Sequence, residues 1–279
     1  MNPEKSRYGE VGPDSITVAA QCFGVRIGVR CRRMDAEAVA AHLPIGYKLI
    51  SPTENTHLFI LATEPHDNAL FSIKRGLSRR VSSPHSLATA LKILQKEIHL
   101  CVAEHTNSHV FVHAGVILWG SYTIVFPGSS YAGKSTLVWA FVQAGAIYYS
   151  DEYAVFDEEG YVQPFALPIS LRAVDGNRRM VTPATVGSGR RRPDFILFAQ
   201  YRPGAIWSAR RMTPASAVMG LIKHSIAIRR HPELVIPVLK RVSLQAQGFV
   251  GVRGESEQIL QWIVLLLNST SCEKSIDRV

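Results

Sequence analysis

The sequence predicts an α/β fold, with a mixed α+β lobe placed ahead of a core built around an anion-binding turn. Three observations lead there. A β-branched and aromatic run, Tyr122–Phe126, is followed by a glycine-rich turn and then by an apolar helical stretch ending at Gly145. A second short apolar run, Ala146–Ser150, ends directly on the acidic pair Asp151–Glu152. Upstream of both lie several strand-like runs and a single amphipathic helix with no comparable turn.

The 279 residues are 47% apolar and 19% charged, enough to bury an ordinary core in one large or two modest domains. Residues 1–14 are polar, hold two prolines and show no period, so they read as a disordered N-terminus. Ile16–Arg32 reads as two strands, with Gly24 and Gly28 as breaks. Asp35–His42 reads as a short helix capped by Asp35 and ended by Leu43–Pro44. His57–Ala62 and Leu70–Ile73 are further strands. Between Ser86 and Cys101, Leu87, Leu91, Leu94, Ile98 and Cys101 recur at spacings of three and four, the stripe of an amphipathic helix. His109–Trp119 and Tyr122–Phe126 then form two strands joined at Gly120–Ser121. The expected organisation is an α+β lobe over 15–105 and a nucleotide-binding domain over 106–279.

The turn is Gly128–Ser135, GSSYAGKS, which fits the G-x-x-x-x-G-K-[ST] phosphate-binding (Walker A) pattern. Its context is a strand before and a helix after, which points free N–H groups and the positive helix end at an anion. Gly128, Ser129, Ser130, Tyr131, Ala132, Gly133, Lys134, Ser135 and Thr136 are the candidate nucleotide-binding residues. Lys134 would reach the β/γ oxygens, and the Ser135 hydroxyl would sit on Mg²⁺. Ala146–Ser150 follows after a single helical crossover and delivers Asp151 and Glu152 at the strand end, where ligands collect in open α/β sheets. Carboxylates beside bound ATP hold Mg²⁺ or take a proton from the attacking hydroxyl. Neighbouring carboxylates titrate as a unit, so the sequence does not apportion those two roles.

A unit this compact, preceded by His113-Ala-Gly-Val116, resembles the HPr kinase/phosphorylase family and its shorter relatives. The matching residues are His113–Val116, Gly128–Thr136 and Ser150–Glu152, and the resemblance covers about residues 109–172. It implies a fold related to phosphoenolpyruvate carboxykinases and an ATP-using kinase activity on a serine hydroxyl. It also implies Asp151 as general base with His113 beside it, and Ser135 with Glu152 at the metal. Departures accompany it. Tyr131 stands where the family has a small residue, and Ser130 replaces an inner glycine. Ser170 stands where bifunctional members carry an acid, ahead of Arg172 with no glycine after it, which puts the phosphate-releasing activity in doubt.

Beyond the acidic pair, Tyr153–Phe156 and Tyr161–Val162 flank the turn Asp157–Gly160, and Leu167–Arg172 is another strand. Arg172 would lie near the strand ends facing the phosphates and bind transferred or acceptor charge. The stretch from Val174 to Arg192 carries three glycines, one proline and five arginines with almost no apolar period, and is expected to be a mobile lid. Asp194–Tyr201 reads as a buried strand, Thr213–His224 as a helix with Thr213 as N-cap and Pro214 at its first position. Pro232–Gln245 is a helix kinked or restarted at Pro237, Phe249–Val252 a strand, and Glu255–Leu267 a final amphipathic helix.

The net charge of +9 attracts anions: nucleotide phosphates or an acidic partner. The basic clusters are not interleaved with aromatics, so nucleic acid is not indicated. Cys22, Cys31, Cys101 and Cys272 lie far apart with no C-x-x-C, which suits a reducing compartment and argues against zinc. No apolar run is long enough to span a membrane and the first residues lack a secretory apolar segment, so a cytoplasmic location is expected. The leading expectation is an ATP- and Mg²⁺-dependent kinase acting on a hydroxyl, most simply a serine of a peptide or protein. A small-molecule hydroxyl kinase and a catalytically silent ATP-binding sensor or assembly module are the competing readings, and a homo-oligomer is left open.

Overall fold

The computed structural model describes residues 14–53, 56–64, 66–76, 79–129, 132–172 and 177–276, with the last helix's side chains described as far as Leu267. The expectation for residues 1–14 therefore lies, apart from Asp14, outside the described residues. The chain is mixed α/β and divides into two compact units between Ser108 and His109.

The first unit holds β1 (Ser15–Cys22), β2 (Val25–Arg32), α1 (Ala36–Ala40), β3 (Lys48–Leu49), β4 (His57–Glu64), β5 (Asp67–Arg75), β6 (Arg79–Arg80), β7 (His85–Ser86) and α2 (Leu87–His105). Its sheet runs β3-β1-β2-β4-β5-β6, with β7 beside β5; β2 and β4 are parallel and the other pairs antiparallel. The two-residue turn between β1 and β2 places both Phe23 (φ 47°) and Gly24 (φ 79°) in the left-handed region, the geometry that matches strand twist. Thr106 Oγ1 donates to the carbonyl of Phe23 (2.9 Å) and helps hold that conformation. The second break expected at Gly28 does not occur: Gly28 lies inside β2, where a Cβ would meet the methyls of Thr56 and Thr17. The expected Asp35-capped helix is also shorter. Arg33–Asp35 is a 3₁₀ turn, and buried Asp35 spends its carboxylate on Arg32 (2.6 Å) rather than on a helix cap. Ala90, Leu91, Leu94, Ile98, Cys101 and Val102 form the buried face of α2, which packs against β2, β4 and β5.

The second unit holds β8 (His109–Trp119), β9 (Tyr122–Pro127), α3 (Lys134–Gln143), β10 (Ile147–Ser150), β11 (Tyr153–Asp157), β12 (Val162–Gln163), β13 (Ile169–Arg172), β14 (Arg178–Val181), β15 (Phe195–Tyr201), β16 (Ser208–Arg211), α4 (Pro214–Ile222), α5 (Pro232–Gln245), β17 (Gln247–Arg253) and α6 (Ser256–Ile276). The main sheet runs β12-β11-β8-β9-β15-β17-β16, with β10 added on β8, while β13 and β14 form a separate ribbon. β15 is parallel to both β9 and β17. Period-two alternation feeds a core on each face. Val110, Val112, Ala114, Val116, Val125 and Ile196 meet Leu221, Val235 and Leu239 of α4 and α5. Ile117, Ile124, Phe126, Phe195 and Leu197 meet Leu137, Phe141, Ile259 and Ile263 of α3 and α6. The Thr213 hydroxyl accepts from Ser216 N (3.2 Å), capping α4. Pro237 sits within a continuous α5.

The expected lid is corrected. Val174, Asp175 and Gly176 lie outside the described residues, but the remainder of that stretch is tied to the sheet. Arg178–Val181 pairs with β13, Gly187 N donates to Tyr148 O (2.8 Å), and Val162 and Arg191 exchange backbone hydrogen bonds (2.8 and 2.9 Å). Gly187 lies so close under the Tyr149 ring that a Cβ would collide with it. Arg190 pairs with Asp157 (3.1 Å) and Glu159 (2.9 Å). Backbone pairing anchors a segment whose side chains carry no apolar period. Among the described residues no helix is long and apolar enough to cross a membrane.

Candidate functional site

The register around β8 assembles the site. On one edge, Ala114 lies opposite Pro127 and Gly115 opposite Phe126, so β9 ends, and Gly128 begins the turn, beside His113. On the other edge β10 and β11 follow each other along the same strand, with Ser150 opposite Val116 and Tyr153 opposite His113. Asp151 and Glu152 fall in the interruption between them. His113–Val116 is therefore flanked by the glycine-rich turn on one side and by the acidic pair on the other. The backbone ties this together: Gly128 N donates to His113 O (3.1 Å), and His113 N donates to His224 O (2.8 Å).

Gly115 has a packing reason to be glycine. A Cβ there would overlap the Cγ2 of Val138, and α3 could not lie as close to β8. That closeness carries the helix start toward the acidic pair. Gly133 has two reasons. It takes φ 79° at the N-cap of α3, and its missing Cβ leaves room for the Arg253 guanidinium, whose Nη2 would stand 2.5 Å away from it. The Gly133 carbonyl accepts from Leu137 N (3.1 Å) and from Arg253 Nη2 (2.8 Å).

Within the turn, Lys134 Nζ donates to Ser129 O (2.9 Å) and Ser135 Oγ donates to Asp151 Oδ2 (2.8 Å). Asp151 is buried, and its Oδ1 has no hydrogen-bond partner among the described residues. Burial pushes its carboxyl up to about 6, reinforced by Glu152 and opposed by the Ser135 hydrogen bond and by Lys134. Lys134 is lowered by burial, with Asp151 and Glu152 acting the other way. His113, half-buried and stacked on Tyr153 (centroids 5.0 Å apart), is lowered by burial against the pull of the Glu152 charge. Glu152, whose charge opposes that lowering, has an exposed side chain.

The structure thus brings together His113, Gly128, Ser129, Gly133, Lys134, Ser135, Asp151 and Glu152. Ala132 follows the turn with its N–H on Ser129 O (3.2 Å), and Thr136 is exposed on the first turn of α3. Ser130 and Tyr131 lie outside the described residues. The sequence paired Ser135 with Glu152 as metal residues, whereas the Ser135 hydroxyl is bonded to Asp151. Arg172 is exposed at the end of β13, opposite Arg178 in the ribbon, and Ser170 is half-buried in the same strand opposite Met180.

Two residues of the site escaped the sequence. Arg253 is buried at the end of β17, its guanidinium 5.1 Å from the Tyr201 ring and its Nη1 on Gly254 O (2.9 Å). Burial lowers it, offset by Glu255, Tyr201 and Glu257. Its signal was its position at the C-terminal end of a strand in a parallel pair, the edge at which ligands collect. His224 follows α4, and is lowered by burial and by the charges of Lys134, His113 and Lys223. A histidine just past a helix end carries no motif. No protein-family model matches the chain, and no curated protein is significantly similar to it.

Proposed function

We propose that this chain is a Mg²⁺-dependent ATP phosphotransferase that moves the γ-phosphate to a hydroxyl, with a core of the HPr kinase/phosphoenolpyruvate carboxykinase type. The observation carrying the reading is the bond from Ser135, in the first turn of a ten-residue helix behind a Gly-Lys turn, to a buried carboxylate. The other oxygen of that carboxylate has no partner among the described residues. The Ser135 hydroxyl and a neighbouring carboxylate are hard oxygen donors that fit Mg²⁺. Ser135 and Glu152 would hold it, with Asp151 set against the same hydroxyl through Oδ2; when bound, the ion neutralises phosphate charge.

The chain's own groups then divide the work. The N–H groups at the start of α3 and the Lys134 ammonium bind the phosphates. Asp151 faces the turn through Oδ2 and orients and deprotonates the acceptor hydroxyl through Oδ1, helped by its raised proton affinity. His113, opposite Tyr153 and beside the turn, stands next to the acidic pair and feels the Glu152 charge. Arg172 is assigned to acceptor or transferred charge. The resemblance of His113–Val116, Gly128–Thr136 and Ser150–Glu152 to the kinase family favours a serine of a peptide or protein as acceptor, and the +9 charge favours an acidic one.

The test combines binding and turnover. ATP with Mg²⁺ at about a hundred times its dissociation constant should stabilise the wild type by about 2.7 kcal/mol, and Lys134→Ala should remove most of that. Asp151→Asn should keep nucleotide binding and lower transfer about a hundredfold or more, whereas Glu152→Gln should chiefly raise the Mg²⁺ requirement. No thermal shift with any nucleotide would remove the phosphate-site reading. Binding with equal turnover in wild type and Asp151→Asn would remove the base assignment.

A further inference from the structure

In the first unit, ahead of the Gly-Lys turn, His57, Cys101 and His105 place one donor atom each within 4.8 Å of one another. We propose that these three side chains form a site for a borderline transition-metal ion, Zn²⁺ in the first instance.

The fold builds the cluster from two elements. Cys101 and His105 are four residues apart on the last turn of α2, which puts them on one helix face. His57 is the first residue of β4, the strand against which α2 packs. The rings of His57 and His105 have centroids 4.2 Å apart and are tilted by 51°. His105 Nδ1 lies 2.8 Å from the Cys101 carbonyl and 3.8 Å from the Cys101 sulfur, so its ring is already oriented over the thiol. Such a backbone bond to a histidine ring is the kind of outer contact that aims a metal ligand.

The distances suit a small tetrahedral ion. With Zn–S of about 2.3 Å and Zn–N of about 2.0–2.1 Å, donors around zinc stand roughly 3.3–3.6 Å apart. Closing from 4.8 Å or less requires small side-chain rotations and no backbone change. One sulfur and two imidazole nitrogens select zinc or copper over magnesium, which takes oxygen. The site also lies at the C-terminal end of a nineteen-residue helix, where the helix dipole favours a cation. Cys101 is buried and not disulfide-bonded, while both histidines are half-buried, so the sulfur is shielded and the ion has a route in. Binding transfers the thiol proton to solvent. Three protein donors leave a fourth position for water or another ligand. The absence of a C-x-x-C argued against zinc, but His57 comes from a strand forty-four residues before Cys101, and only the fold joins it to the Cys101–His105 pair.

The experiment is a Co²⁺ titration of the reduced, full chain, followed by Zn²⁺ displacement. Expected are one equivalent of Co²⁺, tetrahedral ligand-field absorption with a thiolate-to-Co²⁺ charge-transfer band, and loss of both on adding Zn²⁺ but not excess Mg²⁺. Cys101→Ser should abolish the charge-transfer band, and His57→Ala and His105→Ala should each lower affinity about a hundredfold. If Cys101→Ser fails to fold, folded His57→Ala decides, since it alters a half-buried strand end. No charge-transfer band in the wild type, an unchanged band in Cys101→Ser, unchanged affinity in folded His57→Ala, or displacement by Mg²⁺ would each overturn the site.

Discussion

Asp151→Asn replaces a buried carboxylate with a neutral side chain of nearly the same shape, at a position whose electrostatics can be worked through. In the folded protein the carboxyl titrates at about 6, against 3.8 for the ordinary group, chiefly because burial disfavours its charge. The folded state therefore binds the proton more tightly than the unfolded state does. Stability falls as pH rises through that window, and the full penalty applies above about 6. At about 1.36 kcal/mol per pH unit, the gap corresponds to roughly 3 kcal/mol near pH 8 and about half of that near pH 5. Asparagine carries no such term, whatever fixed cost its amide adds. The melting temperature of Asp151→Asn relative to wild type should therefore rise between about pH 5 and pH 8, by some 3–5 °C for a chain of this size. Differential scanning fluorimetry across that range, without nucleotide or metal, reads it directly. A difference between variant and wild type that does not change with pH would refute the reasoning. It would mean that the carboxylate is already neutralised in the folded state by groups such as Lys134.

Two further outcomes test the scaffold beneath the site. Gly115→Ala drives a Cβ into Val138, and should lower stability by about 1–3 kcal/mol and weaken nucleotide binding with it; a wild-type melting temperature would show that α3 does not depend on that close approach. Arg253→Met removes a donor from the Gly133 carbonyl, and should weaken nucleotide affinity about tenfold, with Arg253→Lys failing to restore it because the planar fork is lost. Unchanged affinity in a folded Arg253→Met would make the arginine a packing element only.

The sequence carried most where a local pattern had a single physical solution. The long apolar run of 109–119 and the stripe between 86 and 101 read as a strand and a helix, and the chain forms β8 over His109–Trp119 and α2 over Leu87–His105. The helix start at Thr213–Pro214 was legible because a hydroxyl N-cap and a first-turn proline each satisfy a specific backbone need. Patterns failed where tertiary pairing overrode them. Asp35 looked like a cap, but Arg32 supplies its carboxylate with a charged partner. Gly28 looked like a break, but in β2 it leaves room for two threonine methyls. The stretch around 178–192 looked unanchored because its hold on the sheet is made by backbone bonds, to which side-chain periodicity is blind.

At the site the same division has a sharper cause. The turn Gly128–Ser135 and the pair Asp151–Glu152 are each contiguous, so composition alone exposes them. What joins them is the register of β8, and that register explains a sequence feature that periodicity leaves unexplained: a glycine inside an otherwise large-residue strand. Gly115 lets Val138 approach, Val138 fixes α3, and the first turn of α3 then meets Asp151 through Ser135. Arg253 and His224 reach the same place from β17 and from the end of α4, 119 and 90 residues further along than Lys134. Neither had a local pattern to betray it, since each acts through a backbone carbonyl or a through-space charge. A buried arginine on the N-cap carbonyl and an unsatisfied carboxylate below it are costly features for a fold to keep without return. A polyanion at the helix start and an acceptor hydroxyl on Asp151 would give both groups a use, and on that ground the proposed phosphate chemistry accounts for more of this unit's construction than a packed, inert turn would.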